Sequence, residues 1–460
     1  MIPIAVWIAG AFIASLVTLS CEKEEGGDHP LKPDKPLPFP EEEEVVDAGS
    51  VSGAMDGGEE PASCIPDSCE GVIDPRLPLD SRGEEALCFS FAPVSPRVGL
   101  TGLSGYWRLR VIDFDRDGRP DLHLLRNNAR DQLFQNGEEG FTDVAPIVGI
   151  DLLVNSRDAI WKDEEGDGDM DLFIASEEGG YLLLQNEEGR FVASDSIVIA
   201  EPTTAAVWLG RNILLGTENG LRLLRPHEQN TFPAARDRAW SSGFVDSGEA
   251  AALVAADYDG DGDDDVYVAN NPGPDRLYRN LGGDLFESVE ESLGIGSLGN
   301  STDAQWIKIS GEPLPSLYVS SWDGSNFLYI NNQDGTFTEK SAEYGLRDPG
   351  HTTISAWGDI EQNIDETDAA DLRPAVYLGR DGGPNLLYLP VLDENRHVLH
   401  YIETAAPLGM AMEATTVGAA WFDYNRDGLL DLAVATYEGG LYLFENRTHS
   451  VLTCPEEAIP

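Results

Sequence analysis

Four stretches of this sequence set acidic residues at alternate positions around a glycine: DFDRDGRPD from Asp113, DEEGDGDMD from Asp163, DYDGDGDDD from Asp257 and DYNRDGLLD from Asp423. On a tightly curved loop, alternate residues turn their side chains toward one point, and glycine at position six permits the bend. Such a cage of carboxylate oxygens suits calcium, which takes six to eight oxygens in flexible geometry, better than magnesium, which wants a rigid octahedron and keeps its waters. The first loop would offer the side chains of Asp113, Asp115, Asp117 and Asp121, bend at Gly118 and add the Arg119 carbonyl. The second would use Asp163, Glu165, Asp167 and Asp171 around Gly168, with the Asp169 carbonyl; Glu165 is one methylene longer than the pattern asks. The third would use Asp257, Asp259, Asp261 and Asp265 around Gly262, with the Asp263 carbonyl. The fourth would use Asp423, Asn425, Asp427 and Asp431 around Gly428, with the Leu429 carbonyl, and the uncharged Asn425 should weaken it modestly. One such phrase is a moderate signal, because acidic turns with glycine are common between strands; four in one periodic frame predict calcium sites with a structural role.

The elements that must hold these loops recur with them. Each loop lies between two apolar strands and is followed by a glycine turn, a third strand ending near Asn, and an aromatic fourth strand. VIDFDRDGRPDLHLL at Val111 leads to DQLFQNGEEGFTDVAPIV, and AADYDGDGDDDVYVAN at Ala255 leads to DRLYRNLGGDLFESV, position by position. Further copies begin at Trp161 and Trp421. The gaps between loops hold units whose loops have degenerated: AAVWLGRNILLGTENGLRLL at Ala205, the stretch from Trp306 to Phe337, and AVYLG at Ala375 after a lengthened loop at Asp359. That loop lacks the glycine bend and has Ala375 in the closing place, so no metal is assigned to it.

Seven units of four short strands predict an all-β fold, a seven-bladed β-propeller in which neighbouring blades bury each other's faces. The last unit stops after its third strand near Asn446, whereas FSFAPVSPRVGL at Phe89 resembles the fourth-strand phrase FTDVAPIVGI at Phe141. The beginning of the repeat region is therefore expected to supply the outer strand of the final blade and so fasten the ring. Trp107, Trp161, Trp306, Trp357 and Trp421 fall on the inner strands and are expected to pack the core.

The loop phrase resembles the calcium loop shared by integrin α-subunit propellers and bacterial FG-GAP/VCBS repeats, and it is similar to the first nine positions of an EF-hand loop. The phrase FTDVA also resembles that of the cartilage acidic protein family, with the propeller expected alone. The resemblance implies the fold and the metal; repeat families of this kind are variously adhesive, carbohydrate-associated or joined to catalytic modules, so it implies little more about function.

The balance of 30 Lys and Arg against 82 Asp and Glu, a formal charge of -52, repels nucleic acid and anionic lipid and favours cations or basic partners. The apolar run from Ile4 to Leu19, meeting Cys21 through Ser20, resembles a bacterial lipoprotein signal with Cys21 as the lipidated residue. Residues 1–20 are thus expected to direct export to the cell envelope, surface or medium, 21–84 to form an acidic, Pro/Gly-rich disordered linker, and 85–454 the propeller. With Cys21 set aside, four cysteines remain, and the expected disulfides are Cys64–Cys69 by proximity and Cys88–Cys454 across the ring joint.

No G-x-S-x-G elbow, H-E-x-x-H helix or phosphate-binding glycine loop occurs, and His397 with His400 is too loose a pair for zinc. The expectation is a monomeric, non-enzymatic binding, adhesion or scaffold module that meets a protein or glycan at one rim. The alternative is a propeller-type polysaccharide lyase or hydrolase, which would need unpaired carboxylates or a basic cluster at the channel mouth. A purely structural envelope protein is the third reading.

Overall fold

Runs of β-branched and aromatic residues broken by glycine and Asp-rich turns give short antiparallel strands here, and long apolar runs among them mark sheets covered on both faces. The computed structural model describes residues 72–73, 85–100, 105–151, 155–163, 166–185, 189–224, 239–245, 248–295, 299–309, 312–360, 373–394, 397–438 and 440–452. These residues form seven blades. Blade 1 is a meander of Tyr106–Ile112, Asp121–Arg126, Gln132–Gly137 and Gly140–Asp143. The other blades repeat this order, and among the described residues blade 3 alone has three strands, Thr203–Leu209, Asn212–Thr217 and Gly220–Leu224.

The second strands Asp171–Ser176, Asp265–Asn270, Ser316–Ser321 and Asp431–Thr436 are buried at every position, which is why they read as continuous apolar runs rather than alternating ones. The first strands form the inner wall. Tyr106–Ile112, Ser156–Lys162, Thr203–Leu209, Ala250–Ala256, Ser301–Ile307, Thr352–Gly358 and Thr416–Phe422 each touch the first strands on either side, and the seventh touches the first. Each carries a register shift at its second residue, and a bulge there re-aims that side chain.

Ring closure follows the expectation. Phe91–Pro93 pairs antiparallel with Gly440–Asn446 as the fourth strand of blade 7, extended by Val94 N–H donating to Leu443 O at 2.8 Å and Leu443 N–H donating to Ser95 Oγ at 2.7 Å. The turn that follows docks on blade 1: Gly99 has φ +86°, and a Cβ there would stand 2.7 Å from the Phe141 carbonyl oxygen. The chain also continues beyond the expected last strand. His449–Leu452 pairs with Glu85–Phe89, which pairs in turn with Val72–Ile73, so a further three-stranded sheet adjoins the joint.

Tryptophans at the sixth position of the first strands wedge between blades. The Trp421 indole donates to Ala356 O of blade 6 at 3.0 Å, Trp306 to Val254 O of blade 4 at 3.3 Å, and Trp357 meets Tyr318 of blade 5 edge-on at 5.0 Å. Trp161 stands edge-on between His123 of blade 1 and Phe191. Trp107 departs from the expectation: it occupies the bulged second position of its strand and lines the channel mouth.

Candidate metal loops and the channel mouth

The acidic loops join first to second strands, so all four emerge at one end of the ring. In the first, third and fourth, the position-one carboxylate accepts the glycine amide at position six: Asp113 from Gly118, Asp257 from Gly262 and Asp423 from Gly428, each at 2.9 Å. Positions four and six both adopt left-handed backbone, Arg116 with Gly118 (φ 57° and 79°) and Arg426 with Gly428 (63° and 87°). Glycine meets that demand at position four in the other two loops, as Gly166 and Gly260.

Among the described residues, two sets of carboxylates come close enough to hold a metal ion such as Ca2+. Oxygens of Asp113, Asp115 and Asp117 lie within 4.8 Å of one another, as do those of Asp257, Asp259 and Asp265. The donor chemistry fits a hard cation: Asp113 Oδ1 and Asp259 Oδ1 are buried oxygens with no hydrogen-bond partner, which is costly unless a charge of opposite sign satisfies them. In the fourth loop Asn425 Nδ2 instead donates to Asp427 Oδ2 at 2.8 Å. In the second, Asp163 Oδ1 accepts from Gly166 at 2.8 Å and Asp167 Oδ1 from Asp169 at 3.2 Å; Glu165 lies outside the described residues.

The closing position does more than a ligand would. Asp121, Asp171, Asp265 and Asp431 are all buried. Asp121 takes the Phe114 amide on Oδ2 at 3.1 Å and the Asn136 amide on Oδ1 at 2.7 Å. Asp265 does the same with Tyr258 and Asn280, and Asp431 with Tyr424 and Asn446. Burial pushes these three carboxyls up to about 7 against the pull of those amides. The residue is thus a clamp tying the loop to the third strand, a role that ligand spacing alone does not reveal.

Arginines at position four link successive loops, and sequence reasoning gave them no part. Arg426 donates to Asp117 O at 2.7 Å and Gly118 O at 3.1 Å of the first loop, and Arg116 donates to Asp169 O of the second at 3.3 Å. Cys88 is disulfide-bonded, and its partner, like Cys21, Cys64, Cys69 and Cys454, lies outside the described residues.

The opposite end of the channel opens into a cavity of about 580 Å³ lined from all seven blades. Arg108, on its wall, reaches across to Ala251 O at 3.2 Å. Behind that lining, on the same inner strands, Arg110 pairs with Asp158, and Asp303 accepts the amide and hydroxyl of Ser355 at 3.1 Å. Burial pushes the Asp158 carboxyl up, but Arg110 and Arg108 more than offset it and hold it below the usual range. Nearer solvent, the Arg157 guanidinium lies 3.9 Å over the Trp107 ring and also pairs with Glu177. Asp381 Oδ1 and Glu438 Oε1 each lie 2.8 Å from Thr415 Oγ1.

Residues 257–311, which begin with the third acidic loop, match the family described as FG-GAP-like repeat. The chain is similar to cartilage acidic protein 1 of Xenopus tropicalis, 21% identical over 351 residues that cover 71% of this chain and 47% of that protein. It is also similar to cartilage acidic protein 1 of Homo sapiens, 24% identical over 190 residues covering 38% of this chain and 27% of that protein. The aligned stretch thus spans less than half the length of either relative. Among solved structures, BBS1N in complex with ARL6DN, soaked with mercury, covers 75% of this chain and 93% of its own at 12% identity and a TM-score of 0.48.

Proposed function

We propose that this FG-GAP repeat propeller is a calcium-stabilised module that works by binding rather than by catalysis, exported from its N-terminal segment and engaging a protein or glycan through one end of the ring. The observation that carries the reading is the two carboxylate clusters at one end of the channel, each with a buried, unpartnered oxygen. Calcium there joins strands of one blade through the loop, and arginine bridges pass the order from blade 7 to blade 1 and on to blade 2. The competing hydrolase or lyase reading needs carboxylates free to move protons. Of the mouth carboxylates, Asp381 and Glu438 share one hydroxyl donor while Glu249 also faces the cavity, so turnover of a polysaccharide by the full chain that is lost in Glu249→Gln would favour the competing reading.

The test is thermal unfolding of the full chain in excess EDTA, then with calcium or magnesium added. A midpoint that climbs with calcium and barely responds to magnesium supports the reading. An unchanged midpoint makes the loops solvated acidic turns.

A further inference from the structure

The mouth opposite the acidic loops is built on one repeated backbone device carrying unlike side chains. In every blade but the third, among the described residues, the residue just after the second strand is anchored by its amide to the segment leading into the first strand. Asn127 donates to Gly105 O, Glu177 to Asn155 O, Asn271 to Glu249 O, Trp322 to Asn300 O, Asp381 to His351 O and Tyr437 to Thr415 O, at 2.9–3.3 Å. Six blades therefore fix this residue at an equivalent backbone place, and in blades 4 to 7 it lines the mouth. In blades 5, 6 and 7 that series is Trp322, Asp381, Tyr437, two aromatics flanking a carboxylate, and the rings are 38% and 44% exposed. Such exposure of two large rings on rigid backbone adds nothing to the core, where Trp161, Trp306, Trp357 and Trp421 wedge between blades.

We propose that this mouth is a saccharide-binding site, with Trp322 and Tyr437 taking the apolar faces of sugar rings and Asp381 and Glu438 accepting from their hydroxyls. The inference rests on the binding-module reading and names its ligand class. Three features select that class. The cavity, about 580 Å³, falls within the range of roughly 300–1,000 Å³ typical of small-ligand clefts. Its polar groups are of both signs: Arg108 and Arg157 stand on the side of blades 1 and 2, and Glu249, Asp381 and Glu438 on that of blades 4, 6 and 7. A polycation meets the arginines and a polyanion meets the carboxylates, whereas a sugar hydroxyl donates and accepts at once and suits both. The exposed rings supply the flat, amphipathic surface on which such a ligand stacks.

The experiment titrates the calcium-saturated full chain with the β-1,4-linked hexamers of glucose, xylose, mannose and N-acetylglucosamine, and with oligolysine, by calorimetry and tryptophan fluorescence. At least one hexamer is expected to bind, and Trp322→Ala and Tyr437→Ala are each expected to weaken it by about tenfold or more, the loss of one buried stack. Trp240→Ala, which removes a 78% exposed ring elsewhere, should leave it unchanged. Failure of all four hexamers, or binding that survives the Trp322→Ala, Tyr437→Ala double variant, overturns the proposal. Oligolysine bound in place of every hexamer also overturns it while the binding-module reading stands.

Discussion

Asn136 of blade 1 donates its side-chain amide to the Tyr424 carbonyl of blade 7 at 2.8 Å, across the joint where the ring closes. The same bond recurs between Asn331 and Tyr258 O at 2.8 Å, and between Asn446 and Ile360 O at 3.2 Å. Tyr424 and Tyr258 hold position two of acidic loops, so an Asn ending one blade's third strand grips the loop of the blade before it. Order in the loops is thereby order between blades.

From this coupling, calcium should stabilise the whole ring. With a dissociation constant of about 10⁻⁴–10⁻³ M, usual for extracellular modules, a hundredfold excess gives about 2.7 kcal/mol per site. Asp113→Asn and Asp259→Asn each remove one charged oxygen from a cluster, and each should weaken calcium binding by roughly tenfold while leaving the EDTA midpoint little changed. Calorimetric titration and differential scanning of the same samples check both.

Asp131 should make the protein less stable as pH rises. It is buried, accepting the Arg126 amide at 2.9 Å and the Ser156 hydroxyl, and burial pushes its carboxyl up to about 7. Between 3.8 and 7 the unfolded chain releases this proton and the folded one keeps it, so stability falls across that window and then levels. Asn326 and Asn385 fill the same place in blades 5 and 6, each taking a strand amide and donating to a threonine of the next blade. Asp131→Asn should therefore fold, gain about 1–3 kcal/mol at pH 8, and lose that advantage near pH 4. Urea unfolding at the two pH values decides it.

His123 works in the other direction. It is fully buried against Trp161, neither ring nitrogen has a partner, and burial together with Arg110 lowers its pKa to about 3. Below 6.5 the unfolded chain takes up a proton that the folded one refuses, so stability falls with acid, by about 1.4 kcal/mol per pH unit until 3. Phe173, Tyr267, Tyr318 and Tyr377 hold the matching place in other blades. His123→Phe should flatten the loss between pH 6 and 4 relative to the parent, measured by urea midpoints.

Deleting the chain through Pro93 should open the ring. It removes the fourth strand of blade 7 and the bonded Cys88, leaving Gly440–Asn446 as an uncovered edge. The expected outcome is a large drop in midpoint with concentration-dependent association, read by scanning calorimetry and light scattering.

What was legible in the sequence was what repeats. The D-x-D-x-D-G-x-x-D phrase and its flanking strands recur closely enough to number the blades, and the likeness of the segment from Phe89 to that from Phe141 pointed to the closing strand, which the structure sets at Phe91–Pro93. What was hidden is what varies or serves two purposes. Asp121 and its counterparts read as ligands because spacing shows where a carboxylate points and not which amides it meets. Trp322 and Tyr437 share a place in the fold but no common residue type with Asn127, Glu177 or Asn271, so no periodic signal marks them. His449–Leu452 escaped notice because its partner, Glu85–Phe89, belongs to no repeat.

The union of Ser95 with Leu443 spans 348 residues, and that distance sets a timetable for synthesis. At about 5–20 residues per second, a ribosome needs roughly 20–70 s to deliver the partner of a strand it made near the start. Through that interval six blades can stack in order while Phe91–Pro93 waits without its partner. The growing chain holds a sticky end from early in translation, and completing the ring is the event that retires it.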